Sequence, residues 1–249
     1  MTDHIPIVSV RQLEKAFGNF KAVDGISFDV FPGEIFGFLG ANGAGKTTAM
    51  KMLIGLWKPT AGTATIAGYD IYSETEQIKR KIGYMSQKFS LYVDLTVKEN
   101  IELYGGIYGL TNRQIKTKTD QLLERLNLQS EANTLISALP LGWRQKLAFS
   151  VALLHEPEII FLDEPTGGVD PITRRQFWDL IYETAHQGTT IFVTTHYMDE
   201  AEYCDRISMM VAGKFAALGT PEELKAGFQV SNMDEVFVKI AREGKTLNV

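Results

Sequence analysis

The run Gly40-Ala41-Asn42-Gly43-Ala44-Gly45-Lys46-Thr47-Thr48 constrains this chain more than any other feature. It follows Ile35-Phe36-Gly37-Phe38-Leu39, which carries no polar side chain, and it opens a helical pattern at Thr47 to about Leu56. A strand apolar on both faces belongs at the centre of a parallel sheet. The glycines let successive backbone N–H groups turn inward without Cβ clashes, and the helix start adds its positive dipole end. The whole run matches G-x-x-x-x-G-K-[ST]. In that motif the lysine reaches the β- and γ-phosphates of a nucleoside triphosphate, and the following hydroxyl ligates Mg²⁺. Lys46 and Thr47 occupy those positions. An ordinary glycine-rich turn is the bland alternative, and the strand–loop–helix setting argues against it.

A second constellation, Ile159-Ile160-Phe161-Leu162-Asp163-Glu164-Pro165, places Asp163 at the carboxyl end of another apolar strand. Ligands of open α/β sheets sit at that edge. Asp163 is expected to hold Mg²⁺ through its water shell, and Glu164 to take the proton of an attacking water. Alone, the pair would read equally well as the cap of the next helix. Beside a phosphate loop it reads as hydrolytic.

Around these motifs short β-branched and aromatic runs alternate with helical spacing. Strands are expected at Val8–Val10, Ile26–Val30 and Thr63–Ala67, the early ones at hairpin distance and so antiparallel. Ile82–Met85, Ile159–Leu162 and Ile191–Thr194 are further strands, with a helix over Pro171–His186, an order that argues a parallel core sheet. Between Thr96 and Leu154 helical spacing takes over, at Ile115–Leu128 and Arg144–Leu154. Ile207–Val211 and Phe215–Leu218 suggest a closing hairpin, and the tail after Pro221 a helix. The 249 residues carry a net charge of −5, against a broad grip on nucleic acid. One cysteine, no basic apolar leader and no stretch of ~20 apolar residues lead to the expectation of a soluble intracellular protein.

With these residues in hand, the chain resembles the nucleotide-binding subunit of ABC (ATP-binding cassette) transporters from about Val8 to Leu218. The resemblance implies an α/β fold: a P-loop NTPase core sheet, an N-terminal antiparallel β subdomain and a helical insertion subdomain. It divides one ATPase domain into residues 1–86 and 155–220 as catalytic core, 87–154 as helical subdomain and 221–249 as helical tail. It implies ATP and Mg²⁺ as cofactors, with Gly40, Ala41, Asn42, Gly43, Ala44, Gly45, Lys46, Thr47, Thr48 and Asp163 binding them. Phe17 stands where the family stacks an aromatic on adenine. Gln87 stands where a glutamine touches metal and water, making Thr47, Gln87 and Asp163 the implied metal set. His196 matches the γ-phosphate-sensing histidine, and Glu164, His196, Gln87 and Lys46 the catalytic group. Gly168-Val169-Asp170 resembles the loop that crosses to a second subunit, although Gly167 replaces the usual serine.

The departure lies in the signature that closes over a partner's ATP, Leu-Ser-Gly-Gly-Gln in the family. Here it reads Leu139-Pro140-Leu141-Gly142-Trp143. Pro140 offers neither hydroxyl nor N–H. Gly142 and the helix start after it remain as anion donors. The partner is therefore expected to be a second ATP-binding subunit, a copy of this chain or a different cassette. An integral membrane transporter subunit is the other implied partner. Phe89–Leu95 is an expected contact for it, and the cytoplasmic face of the inner membrane is the implied location. The tail containing Ser231–Phe237 resembles exporter cassettes, which makes drugs or other amphipathic compounds the expected cargo. A soluble P-loop ATPase or kinase is the alternative.

Overall fold

The computed structural model describes residues 5–87, 91–243 and 247–248. Strands β1 (Val8–Phe17) and β2 (Phe20–Val30) form a hairpin turned over Gly18 and Asn19. The next strands are β3 (Ile35–Leu39), β4 (Ala61–Ile66) and β5 (Tyr69–Asp70). An antiparallel sheet runs in the order β2-β1-β4-β5. The expected strand at Val8–Val10 thus continues seven residues further, and its polar half pairs with the β2 residues that the hydrophobic pattern left out. β4 stops at Ile66 rather than Ala67, because Ala67 turns with φ +50°.

Strand β3 belongs to the other sheet. With β6 (Ile82–Met85), β7 (Ile159–Asp163), β8 (Thr190–Thr195) and β9 (Arg206–Val211) it forms a parallel array ordered β9-β3-β8-β7-β6. β10 (Lys214–Gly219) closes antiparallel on β9, and β11 (Leu247–Asn248) pairs with β10 at the edge. That last strand corrects the expectation of a wholly helical tail.

The uniform apolarity of β3 resolves into two faces. Phe36 and Phe38 join Phe28, Phe161 and Phe192 under the antiparallel sheet, with the Phe38 and Phe192 ring centres 4.5 Å apart. Ile35 and Leu39 join Ile160, Leu162, Ile191 and Val193 against the helices on the far side. Period-two geometry requires this split, and burying each such phenylalanine stabilises the fold by roughly 1.5–3 kcal/mol.

Among the described residues eight α-helices surround the sheets: α1 (Lys46–Leu53), α2 (Thr75–Lys81), α3 (Val97–Ile107), α4 (Asn112–Arg125), α5 (Leu141–Ala152), α6 (Pro171–His186), α7 (Pro221–Phe228) and α8 (Met233–Glu243). Capping boxes begin α3 (Thr96 with Glu99), α4 (Thr111 with Gln114) and α7 (Thr220 with Glu223). α1 ends three residues earlier than its apolar spacing suggests, since Gly55 takes φ +73°. Among the described residues no helix is long and apolar enough to cross a membrane.

Candidate active site

β3 ends at Leu39, and the chain turns through the glycine-rich loop into α1. Two glycines there have no alternative. At Gly40 (φ +154°) and Gly45 (φ +111°) a Cβ would lie 2.4 Å from the carbonyl oxygens of Met210 and Ala22. Ala44 N–H closes the turn onto Ala41 O at 3.1 Å, and Gly213 N–H ties it to the neighbouring hairpin at Ala44 O.

Lys46 is nearly buried, and its ammonium folds back to donate to Gly40 O (2.7 Å) and Ala41 O (3.2 Å). It also stands 3.6 Å from Glu164 Oε1. Burial pulls its pKa below the ordinary lysine value, against the opposing pull of Glu164 and Asp163. Thr47 Oγ1 donates to Asp163 Oδ1 at 3.1 Å, and Thr194 Oγ1 donates to the same oxygen at 2.6 Å. Burial pushes the Asp163 carboxyl up, while these two hydroxyls hold it down.

Glu164 follows with φ +49°, a backbone strained for a residue with a Cβ. Its N–H donates to Thr194 O and Thr194 Oγ1, which fixes the turn. The carboxylate meets three groups from three elements. Gln87 Nε2 donates to Oε2 at 2.8 Å, His196 Nδ1 lies 3.1 Å from that oxygen without hydrogen-bond alignment, and Lys46 faces Oε1. The parallel register β3-β8-β7 brings these strand ends to one edge.

A cleft runs from this cluster past Asn42, Gly43, Gly45, Thr47 and Thr48 to Phe17 and Phe20. Phe17 is 48% exposed, so it is not a core residue. Its ring meets the edge of Trp57 at 5.5 Å, and Lys15 Nζ lies 5.2 Å from it. Gly142 and Asp170 do not line the cleft. Asp170 caps α6 through Ile172 N–H and Thr173 N–H. Gly142 packs so closely on Thr173 that a Cβ would come within 2.5 Å of its methyl. Of the segment expected to contact a membrane subunit, Phe89 lies outside the described residues. Leu91 is buried, and Tyr92 and Val93 are exposed.

Sequence reading did not single out Thr194 or Phe20 as site residues. Thr194 ends the strand next to Asp163, a position visible only in the register. Phe20 lies opposite Phe17 across the hairpin. Gln145 is buried and donates to Gly167 O at 3.1 Å.

A phosphate loop entered from a central strand, an Asp–Glu pair on the next strand but one, and a histidine beside the Glu define a nucleotide-binding domain of the P-loop class. Residues 23–167 match the family model described as ABC transporter, and the chain belongs to that family as an ATP-binding domain. It is 46% identical over 244 residues to the probable multidrug ABC transporter ATP-binding protein YbhF of Escherichia coli (strain K12), covering 95% of this chain and 42% of that protein. It thus spans less than half of YbhF. It is 38% identical over 219 residues to the linearmycin resistance ATP-binding protein LnrL of Bacillus subtilis (strain 168), covering 88% of this chain and 70% of LnrL. A solved structure described as the ATP binding subunit of an ABC transporter superposes with a TM-score of 0.85 at 28% identity. That match covers 95% of this chain and 100% of the other.

Proposed function

We propose that this chain binds ATP at the glycine-rich loop, hydrolyses it beside Glu164, and thereby drives a membrane exporter. The observation that carries the reading is the convergence of Gln87, His196 and Lys46 on the Glu164 carboxylate at the mouth of the phosphate loop. The base would stack on Phe17, whose ring Trp57 and Lys15 hold at the far end of the cleft. Lys46 would exchange its bonds to Gly40 O and Ala41 O for the β- and γ-phosphates, while the loop and α1 N–H groups hold the same oxygens. Glu164, gripped by Gln87, would take the proton of water aligned on the γ-phosphate, with His196 holding that phosphate.

The residues present fit Mg²⁺. Asp163 is buried with two hydroxyls for partners, a costly state for a carboxylate without a cation, and Thr47, Asp163 and Gln87 offer the oxygen ligands a hard ion takes. Bound there, the ion would neutralise charge on the β- and γ-phosphates. Gly142 and Asp170, which do not line this cleft, would complete the site of a second ATP-binding subunit. Residues 87–154, with exposed Tyr92 and Val93, would carry the motion to an integral membrane subunit, placing the chain at the cytoplasmic face of the membrane. The names of YbhF and LnrL, multidrug transport and antibiotic resistance, support amphipathic cargo moving outward. Membership in a transporter family leaves the kinase alternative without support.

Glu164→Gln tests the reading. ATP binding should persist, while steady-state phosphate release falls at least ~100-fold, the lower end of what proton-transfer catalysis contributes. Turnover at the parent rate would remove Glu164 from the role of base.

A further inference from the structure

Among the described residues the most deeply buried carboxylate outside the catalytic cluster belongs to Glu200, which has no exposed surface. It lies in the 3₁₀ turn Met198–Tyr203 that follows His196. Its Oε1 accepts from Thr166 Oγ1 at 2.5 Å, and Thr166 is itself buried two residues beyond Glu164. Arg174 of α6 places Nε 3.7 Å from the same oxygen, while Oε2 has no hydrogen-bond partner. The Arg174 guanidinium also stacks 3.9 Å over the Tyr197 ring, which lies 4.2 Å from the His196 ring, and reaches Asp199 at 3.3 Å. Asp170 caps the helix that carries Arg174, and Gly167 N–H bonds back to Glu164 O.

One carboxylate therefore ties together the turn bearing Glu164, the loop bearing His196 and the start of α6. We propose that Glu200 is a positioning residue for hydrolysis. Through Thr166 it sets the Glu164 turn against the His196 loop, and through Arg174 it links both to the Asp170 cap. The inference rests on the hydrolytic reading given above. A buried charge is costly unless paired and hydrogen-bonded. A packing role alone would be filled as well by an apolar side chain, so a carboxylate at this buried position points to geometry. Glu200 touches neither the phosphate loop nor the cleft, so its removal should change how the reacting groups are aligned and leave nucleotide binding alone.

Thr166→Val keeps the shape of the side chain and deletes the bond, whereas Thr166→Ser keeps the hydroxyl. In the full chain, ATP hydrolysis and ATP affinity are measured separately for parent and variants. Thr166→Val should lower kcat by about 10-fold or more, within the ~100-fold that roughly 1 Å of misplacement can cost. The Kd for ATP should stay within about twofold, and Thr166→Ser should recover most of kcat. Equal loss in both variants, or an unchanged kcat in folded Thr166→Val, would overturn the proposal. If Thr166→Val does not fold, Glu200→Gln decides: it still accepts from Thr166 but carries no charge toward Arg174. A lowered kcat at unchanged ATP affinity then supports the linkage, and an unchanged kcat overturns it. Failure of the parent itself to bind or cleave ATP would strike the hydrolytic reading instead.

Discussion

Gly45→Ala should be among the costliest single-methyl additions in the chain. Gly45 sits at φ +111°, ψ −2° as the N-cap of α1, and a Cβ there would stand 2.4 Å from Ala22 O and 3.0 Å from Met210 Cε. The methionine tip can swing away. The carbonyl cannot, because it belongs to the backbone of β2. Positive φ costs a residue with a Cβ about 1–2 kcal/mol, and forcing an extra carbon into packed structure costs about 1–3 kcal/mol. The sum, about 2–5 kcal/mol, is a large part of a domain stability of about 5–15 kcal/mol. Gly43→Ala is the control, since at φ +81° its Cβ would meet nothing within 4 Å and only the backbone cost of about 1–2 kcal/mol applies. Urea titration followed through tryptophan fluorescence, with Trp178 fully buried, measures both variants. The midpoints should separate by about 1 M for m near 2 kcal/mol/M. Coincident midpoints would refute the account of the Ala22 contact.

Three further outcomes are expected. Lys46→Ala should weaken ATP binding by about 10- to 150-fold in calorimetry, matching the ~1.5–3 kcal/mol of a hydrogen bond to a charged group; unaltered affinity would remove the loop from nucleotide binding. His155 packs its ring 3.9 Å from that of Tyr108 and bonds Ile82 O, and burial lowers its pKa. Between that lowered value and about 6.5 the unfolded chain holds the extra proton, so stability falls as pH drops through the window, by at most about 1.4 kcal/mol per pH unit. Replacing His155 with Phe should remove this component, and a parent–variant difference in unfolding free energy that is constant from pH 7 to 5 would contradict it. Pro140 already has the extended backbone of an N-cap (φ −56°, ψ 149°) but no capping side chain. Pro140→Ser should therefore stabilise α5 by about 1 kcal/mol and raise ATP turnover; no change in either the melting temperature or the rate would count against that role.

The phosphate loop, the Asp163–Glu164 pair and the alternation of strands with helices were legible because each rests on local chemistry. A glycine run can be read residue by residue, and so can an apolar strand closing on two carboxylates. What lay between distant segments was hidden. β3 looks merely apolar in sequence, and only its seat between β8 and β9 sends Phe36 and Phe38 to one face and Ile35 and Leu39 to the other. Thr194 becomes a partner of Asp163 through parallel register, 31 residues away in the chain. Leu91 is buried where exposure was expected, and β11 adds a strand to a tail whose amphipathic spacing showed helix alone.

The same division holds for the chemistry. The order of residues alone determined that the backbone can turn inward at Gly40–Thr48 and that an acid pair closes an apolar strand at Asp163–Glu164, since backbone freedom and charge are properties of the residues themselves. Only the tertiary structure decided that Gln87, His196 and Lys46 meet at one carboxylate, and that Gly142 and Asp170 turn away toward Thr173. Side chains far apart in the chain converge only where strand order and helix packing carry them, and both are settled by how the whole set of apolar faces is buried together.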